Sequence, residues 1–277
     1  MSNSVVDTPG SADSSPVVAD LPDTQNERDA RGFAIQRVGI RGLRMPAKVV
    51  GIDGEIQGAA ATFDLSVDLA ADRRGTHMSR FVELIQGWGR PWSATAIPEF
   101  MAGFRDRFDC RCAYAKIAFP FFFPKVTPVS RRETWSECEA IFEGELKDEQ
   151  VSVTTTVVGS VKTLCPCSKA ISEYGAHNQR GRARVRVNGP NPVEVGALID
   201  AVESSGSSPL YPLLKRSDEK AVTELAYQNP VFVEDLVRNV AVQLRANPDI
   251  RSFEVEAENF ESIHAHNAHA ILRYPES

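Results

Sequence analysis

No stretch of this chain approaches the roughly 18 apolar residues that a membrane-spanning helix requires. The opening MSNSVVDTPGSADSSPVVADLPDTQNERDARG lacks a basic segment followed by an apolar one. No secretory signal is therefore read, and the expected location is cytoplasmic. An excess of basic charge is missing as well: 31 Lys and Arg stand against 37 Asp and Glu, for a net charge of −6 and a pI near 5.5. A general nucleic-acid binder needs a cationic surface to displace counterions, so that partner class is excluded. The balance still permits a local basic pocket for a phosphorylated small molecule. Cysteine is scarce, with five in 277 residues, and a cytosolic chain of this size does not build a disulfide framework from so few. Reduced thiols are expected, available as metal ligands or catalytic groups.

What is present suffices for a buried core: 42% of residues are hydrophobic and 25% charged, ordinary for a globular protein. Residues 1–30 are rich in Ser, Pro, Asp and Ala and show no apolar periodicity, which predicts a disordered leader. Beyond it, FAIQRVGIRGLRMPAKVV and GEIQGAAATFDLSVDLA read as strands, and MSRFVELIQGWG and AIPEFMAGFRDRF as helices, the second with Pro98 near its start. CRCAYAKIAFPFFFP and ETWSECEAIFEGEL return to strand composition. The second half repeats that order. QVSVTTTVVGSV and RARVRVNG alternate as strands, PVEVGALIDAVESS is a helix entered through Pro192, and NPVFVEDLVRNVAVQLRANP is a longer helix. Asn229 is expected to cap that helix, with Pro230 as its first residue. IRSFEVEAENFES and HNAHAILRY close the chain as strands. Two modules follow, residues 31–148 and 149–277, each of antiparallel sheet with paired helices, an α+β organisation. Sheets of this kind leave open edges, which predicts pairing between modules and across subunits.

Cys165-Pro166-Cys167 has C-x-C spacing, unlike the C-x-x-C of redox motifs and most zinc knuckles. In an extended segment both sulfurs face one side. On these three residues alone, a turn with two buried thiols is as economical. His177 follows in YGAHNQRG, where Gly175 allows a tight bend; thiolate and imidazole together suit a zinc-like ion. The C-terminal AENFESIHAHNAHA supplies Glu258, Glu261, His264, His266 and His269, three of the five histidines within six positions. Read as a strand, it points His264 and His266 to one face and makes an active-site wall. LLKRSDEKAVTELAYQNP carries Lys215, Arg216, Asp218, Glu219 and Lys220. A solvated loop explains most of these, but a carboxylate here can complete a Cys/His metal site. Lys215, Arg216, Lys220 and Arg180 can contact phosphate oxygens. Glu234 in the first turn of a predicted helix either opposes the helix dipole or accepts from a donor-rich base such as guanine. In RRGTHMSRFVELI, Thr76 or Ser79 is expected to cap a helix, with an anion site before the helix as the alternative. Lys125, Arg131 and Arg132 form a basic, proline-broken loop that can face a triphosphate.

Taken together, SVKTLCPCSKAISEYGAHNQRG, YPLLKRSDEKAVTELAYQNPVFVEDLVR and ENFESIHAHNAHA resemble the prokaryotic type IB GTP cyclohydrolases. DTQNERDARGFAIQRVGIRGLRMP and GTHMSRFVELI are similar to other signature segments of that family. The resemblance spans residues 23–273 in order. It implies a tunnelling fold with two modules per chain, assembled as a homotetramer around a barrel. It implies conversion of GTP and water to 7,8-dihydroneopterin triphosphate and formate, the entry to tetrahydrofolate synthesis, with a divalent ion, Mn²⁺ or Zn²⁺. Carried over by residue, Cys165, His177 and Glu219 hold the ion, with Cys165 and Cys167 both at the catalytic centre. His264 and His266 are active-site histidines, Glu234 anchors the purine, and Lys215, Arg216 and Arg180 bind phosphate. Two other readings stay open: a different purine or pterin conversion on the same fold, such as nitrile reduction by a cysteine, and a non-catalytic metal or redox sensor built on Cys165 and Cys167.

Overall fold

Long alternating segments become long antiparallel strands. In the first half β1 (Ile35–Val50) and β2 (Ile56–Leu69) form a hairpin, α1 (Ser79–Gln86) and α2 (Ile97–Phe108) follow, and β3 (Cys112–Val126) and β4 (Glu133–Lys147) form a second hairpin. The second half runs β5 (Gln150–Leu164), a short α3 (Pro166–Ile171), β6 (Asn178–Asn188), α4 (Val195–Glu203), a two-residue β7 (Ser208–Pro209), α5 (Arg216–Gln228), α6 (Val233–Ala246), β8 (Ser252–Asn259) and β9 (Ala268–Tyr274). The computed structural model describes residues 22–275. Most of the expected disordered leader, residues 1–21, lies outside them. Residues 22–30, which the sequence joined to that leader, run along the β2 end instead: Asp29 N–H donates to the Asp72 carbonyl at 2.9 Å, and Arg74 N–H to the Glu27 carbonyl at 3.1 Å.

The two halves share one sheet. Its order is β1-β2-β3-β4-β5-β6-β8-β9, with β7 added on β5. The join is the β4–β5 hairpin, in register from Lys147↔Gln150 to Glu139↔Val158. Among the described residues the sheet does not close into a barrel, and β1 and β9 are its edges. Period-two burial decides its faces. On β6, Ala183, Val185 and Val187 are buried, whereas Arg182, Arg184 and Arg186 lie on the opposite face. On β8, Phe253, Val255 and Ala257 join the core and Glu254, Glu256 and Glu258 do not. The helices cover the apolar face: α2 packs on β3, β4 and β5, α4 on β5, and α6 on β8 and β9. One core cluster runs through both halves, from Phe63 and Phe104 to Leu236 and Val255.

Helix boundaries follow from caps as much as from pattern. Pro98 sits in the first turn of α2, whose Ile97, Phe100, Met101, Phe104 and Phe108 recur at three- and four-residue spacing and are buried. α1 is preceded by Met78 with no side-chain cap, so neither Thr76 nor Ser79 plays the expected role. Pro192 lies outside α4, whose N-cap is Glu194. Asn229 ends α5 rather than opening α6, its N–H donating to the Leu225 carbonyl at 3.0 Å. α6 starts after Phe232, whose N–H donates to Asp235 at 3.1 Å. No helix among the described residues is long and apolar enough to cross a membrane.

Candidate active site

The sheet end where β5 stops and β6 starts gathers most of the chemistry-bearing residues. The last β5–β6 pair is Leu164↔Asn178, and beyond it Cys165 N–H donates to the His177 carbonyl at 3.1 Å. Backbone pairing therefore places Cys165 and His177 side by side. The chain between them turns through α3 and Gly175, whose φ of +129° is open to glycine but costly for other residues. Cys165 has extended backbone angles (φ −69°, ψ 118°) and caps α3, its sulfur accepting the Ser168 N–H at 3.5 Å. Pro166 takes the first helical position, where its missing N–H costs nothing and its fixed φ suits the helix. This overturns the extended reading of Cys-Pro-Cys. Cys165 is half-buried beside His177, whereas Cys167 is exposed on the first turn of α3.

His177 is held from two sides. Its N–H donates to the Ser168 hydroxyl at 3.1 Å, and its ring Nδ1 meets Gln179 Oε1 at 3.1 Å. Gln179 Nε2 donates in turn to Thr163 Oγ1 at 3.1 Å. The Gln179 oxygen accepts, so Nδ1 carries the proton and Nε2 keeps its lone pair for a ligand. Glu261 Oε2 lies 3.8 Å from Nδ1, both side chains being largely buried. The His264 ring stands edge-on to His177 with centroids 6.5 Å apart, and His266 stacks on His264 at 5.1 Å. His264 and His266 are not on a strand, as the sequence predicted. They occupy the 260–267 connection between β8 and β9, tied at its ends by Phe260 N–H to the Arg180 carbonyl (2.9 Å) and Asn267 Nδ2 to Glu258 (2.8 Å). They share a face there because the two rings stack.

The remaining candidates are brought near to different degrees. Val231 N–H donates to the Leu164 carbonyl at 3.0 Å, which docks the start of α6 on the residue before Cys165 and carries exposed Glu234 with it. Glu219, Lys215 and Arg216 are exposed at the start of α5. The other end of that helix meets α3, where Lys169 Nζ donates to the Tyr227 carbonyl and sits 4.6 Å from the Tyr227 ring centre. At 1.5 Å per residue, Glu219 lies about 12 Å along the helix axis from Tyr227. Consistent with that, no group of three His, Cys, Asp or Glu among the described residues is gathered closely enough to hold an ion. Cys165 and His177 are adjacent, and Glu219 does not join them within one chain.

Arg180 lines a cavity of about 490 Å³ with Trp135, Cys138, Glu203 and Tyr211. Lys125, expected to face a triphosphate, is instead buried against this cavity. It pairs with Glu203, donates to the Leu210 carbonyl at 2.6 Å and lies 4.5 Å from the Tyr211 ring centre. Burial pulls its pKa below the usual lysine value, and Glu203 opposes that shift. Arg131 and Arg132 of the same loop are exposed. Gln179 was not singled out from sequence, although strand periodicity puts it on the His177 side.

The family model of type I GTP cyclohydrolase folE2 matches residues 21–270. A curated GTP cyclohydrolase FolE2 from Fervidobacterium nodosum is 44% identical over 252 residues, covering 91% of this chain and 97% of that protein. Another, from Burkholderia pseudomallei, is also 44% identical over 252 residues, with 91% and 95% covered. Among solved structures, uricase from Arthrobacter globiformis superposes with a TM-score of 0.54 at 9% identity, over 86% of this chain and 92% of that chain. At such identity the likeness is one of fold alone, and the fold is the tunnelling fold.

Proposed function

The chain belongs to the type I GTP cyclohydrolase family of FolE2 proteins, and from that premise we propose that it hydrolyses GTP to 7,8-dihydroneopterin triphosphate and formate, the first step of folate biosynthesis, at the sheet end formed by Cys165, His177, Glu261 and His264. The observation that carries the location is the backbone pairing of half-buried Cys165 with ring-fixed His177, with the His264 ring edge-on to His177 and His266 stacked on His264. A sulfur and an imidazole nitrogen with its lone pair outward suit a divalent ion of the zinc or manganese type, and Ser168 and Gln179 are the partners such ligands need to hold their orientation. Cys165 and His177 would hold the ion; Glu219, which does not join them within one chain, would add its carboxylate from a neighbouring copy. When bound, the ion supplies a water acidified toward neutral pH, ready to attack carbon 8 of guanine.

The protein's own groups do the rest. Glu234 accepts from the ring N–H and amino group of guanine, a two-point contact that fixes the base. His264 and His266 deliver a proton to N7 as C8 is attacked and carry protons as the ring opens and formate leaves. Glu261 stands beside His177, its Oε2 3.8 Å from Nδ1, and lines the same wall. Cys167, exposed at the mouth of α3, is a further proton carrier. Lys215, Arg216 and Arg180 neutralise phosphate oxygens. The same reading makes the chain one subunit of a cytoplasmic homotetramer, whose open β1 and β9 edges pair between copies.

Purified protein supplied with Mn²⁺ or Zn²⁺ and GTP should yield a product that oxidises to fluorescent neopterin. Cys165→Ala should lose the ion and fall about a thousandfold in kcat/KM, since a Lewis-acid contribution of several kcal/mol disappears. Cys167→Ala should keep the ion. Absence of product with any divalent metal overturns the activity, and a reversed pattern between the two variants reverses the ligand assignment.

A further inference from the structure

Among the described residues Asp218 is the only buried carboxylate, with 0% exposure. Its Oδ1 accepts the N–H groups of Val129 (2.9 Å) and Ser130 (2.7 Å); its Oδ2 accepts the Ser130 hydroxyl (2.5 Å) and the Lys215 N–H (3.0 Å). Burial alone would raise its pKa, but the Ser130 hydroxyl and N–H, joined by Lys215 and Val129, outweigh that and hold the carboxyl well below the usual range. Only the Lys215 contact is needed to cap α5. The other three reach the turn between β3 and β4, in the opposite half of the chain. That turn is also tied internally. Thr127 N–H donates to the Arg132 carbonyl at 3.0 Å, Arg132 N–H to Thr127 Oγ1 at 2.8 Å, and the Thr127 and Ser130 hydroxyls meet at 2.9 Å. Arg131 is thereby held at φ +54°, a conformation a non-glycine residue keeps only when its surroundings impose it.

One carboxylate therefore brings the residue before Arg131 and the residue before Arg216 to the same point. Arg131, Arg132, Lys215 and Arg216 are all exposed, and none has a carboxylate within salt-bridge distance among the described residues. Unpaired cations grouped on a chain of net charge −6 mark an anion surface. We propose that Asp218 is a positioning residue for the triphosphate: by locking the β3–β4 turn to the start of α5, it sets Arg131 and Arg132 beside Lys215 and Arg216 as one cationic surface for the phosphate oxygens of GTP. This rests on the GTP reading above. Asp218 itself touches no substrate.

The test measures affinity for GTP and for guanosine on the full-length, metal-loaded protein by calorimetry, beside steady-state KM and kcat. In Asp218→Asn an amide faces donors that a carboxylate satisfied. The preference for GTP over guanosine should shrink about tenfold, and KM for GTP should rise by a similar factor while kcat and bound metal change little. Ser130→Ala, which deletes one hydroxyl contact, should shift the preference in the same direction by less. It stands in if Asp218→Asn does not fold, and Arg131→Ala should then shrink the preference as well. Equal loss of GTP and guanosine binding, or loss of metal and kcat at constant KM, overturns the proposal, as does unchanged preference in Ser130→Ala and Arg131→Ala. Wild-type protein that does not turn over GTP would instead sink the functional reading itself.

Discussion

Cys138 and Cys167 carry the same group in opposite settings. The first lies on β4 at 7% exposure, its thiol pushed up to about 12 by burial, with Glu203, Glu137 and Glu139 acting in the same direction. The second is exposed on α3. A thiol reagent applied to the native protein at neutral pH should modify Cys167 and spare Cys138, which should react only after denaturation; mass spectrometry of the labelled peptides reads this directly. Cys138 also sets an alkaline limit. Its folded value lies above the reference value of 9.0, so its contribution is complete below that pH and is lost as pH rises toward about 12. Denaturant unfolding should show stability falling above pH 9.0, and Cys138→Ala should fall less steeply across the same range. A parallel decline in both proteins would contradict the assignment. None of this was legible in the sequence, where the five cysteines differ only in spacing. Cys165 and His177 were legible as a pair because one short turn separates them. Asp218 was not, because nothing in the spacing of residues 129, 130 and 218 announces that they touch.

Close approach of helix to sheet depends on particular small residues. A Cβ added at Gly144 on β4 would stand 2.6 Å from Met101 Cγ and 2.7 Å from Ile97 Cγ2, both on α2. Gly144→Val should destabilise the fold by about 1–3 kcal/mol or more, because α2 must lift from the sheet. A Cβ at Gly58 on β2 meets nothing within 4 Å, so Gly58→Val is the matched control and should be near neutral. Equal unfolding midpoints for the two variants would refute that packing account. The strands were readable because alternation over long segments has one interpretation. α3 was not, since it spans Pro166–Ile171 and is too short to show a period. Asn229-Pro230 carries the local signature of a helix start, yet tertiary contacts override it. Asn229 Nδ2 donates to the Gly206 carbonyl at 3.0 Å, and Val231 N–H is taken by Leu164, so the chain stays extended until Phe232.

At the scale of the whole molecule, the strand, helix, strand order of each half and the pairing of the two modules were legible, whereas the β4–β5 register that fuses them into one sheet was not, because it leaves no local mark. The helix-free face carries charge in columns, with Glu143 to Arg186 at 3.2 Å, Glu139 to Arg182 at 3.8 Å and Glu254 to Arg273 at 2.6 Å. Such a face is suited to a solvated interior, not to a second apolar layer. Apolar side chains are exposed elsewhere, next to the candidate site: Ile171 at 85%, Tyr174 at 96% and Ile263 at 63%. Grouped exposure of large apolar residues beside a site marks a contact surface. In the homotetramer reading these residues meet a neighbouring copy and close the pocket over its histidines. Native mass measurement should then give four times 30.4 kDa for the wild type. Tyr174→Asp with Ile263→Asp should release smaller species and lower GTP turnover in step with the loss of assembly, while far-UV dichroism stays that of a folded chain. Dilution of the wild type should likewise reduce both mass and specific activity together, as mass action requires. A folded, fully active monomer would defeat this account, because it would show that one chain completes the site alone.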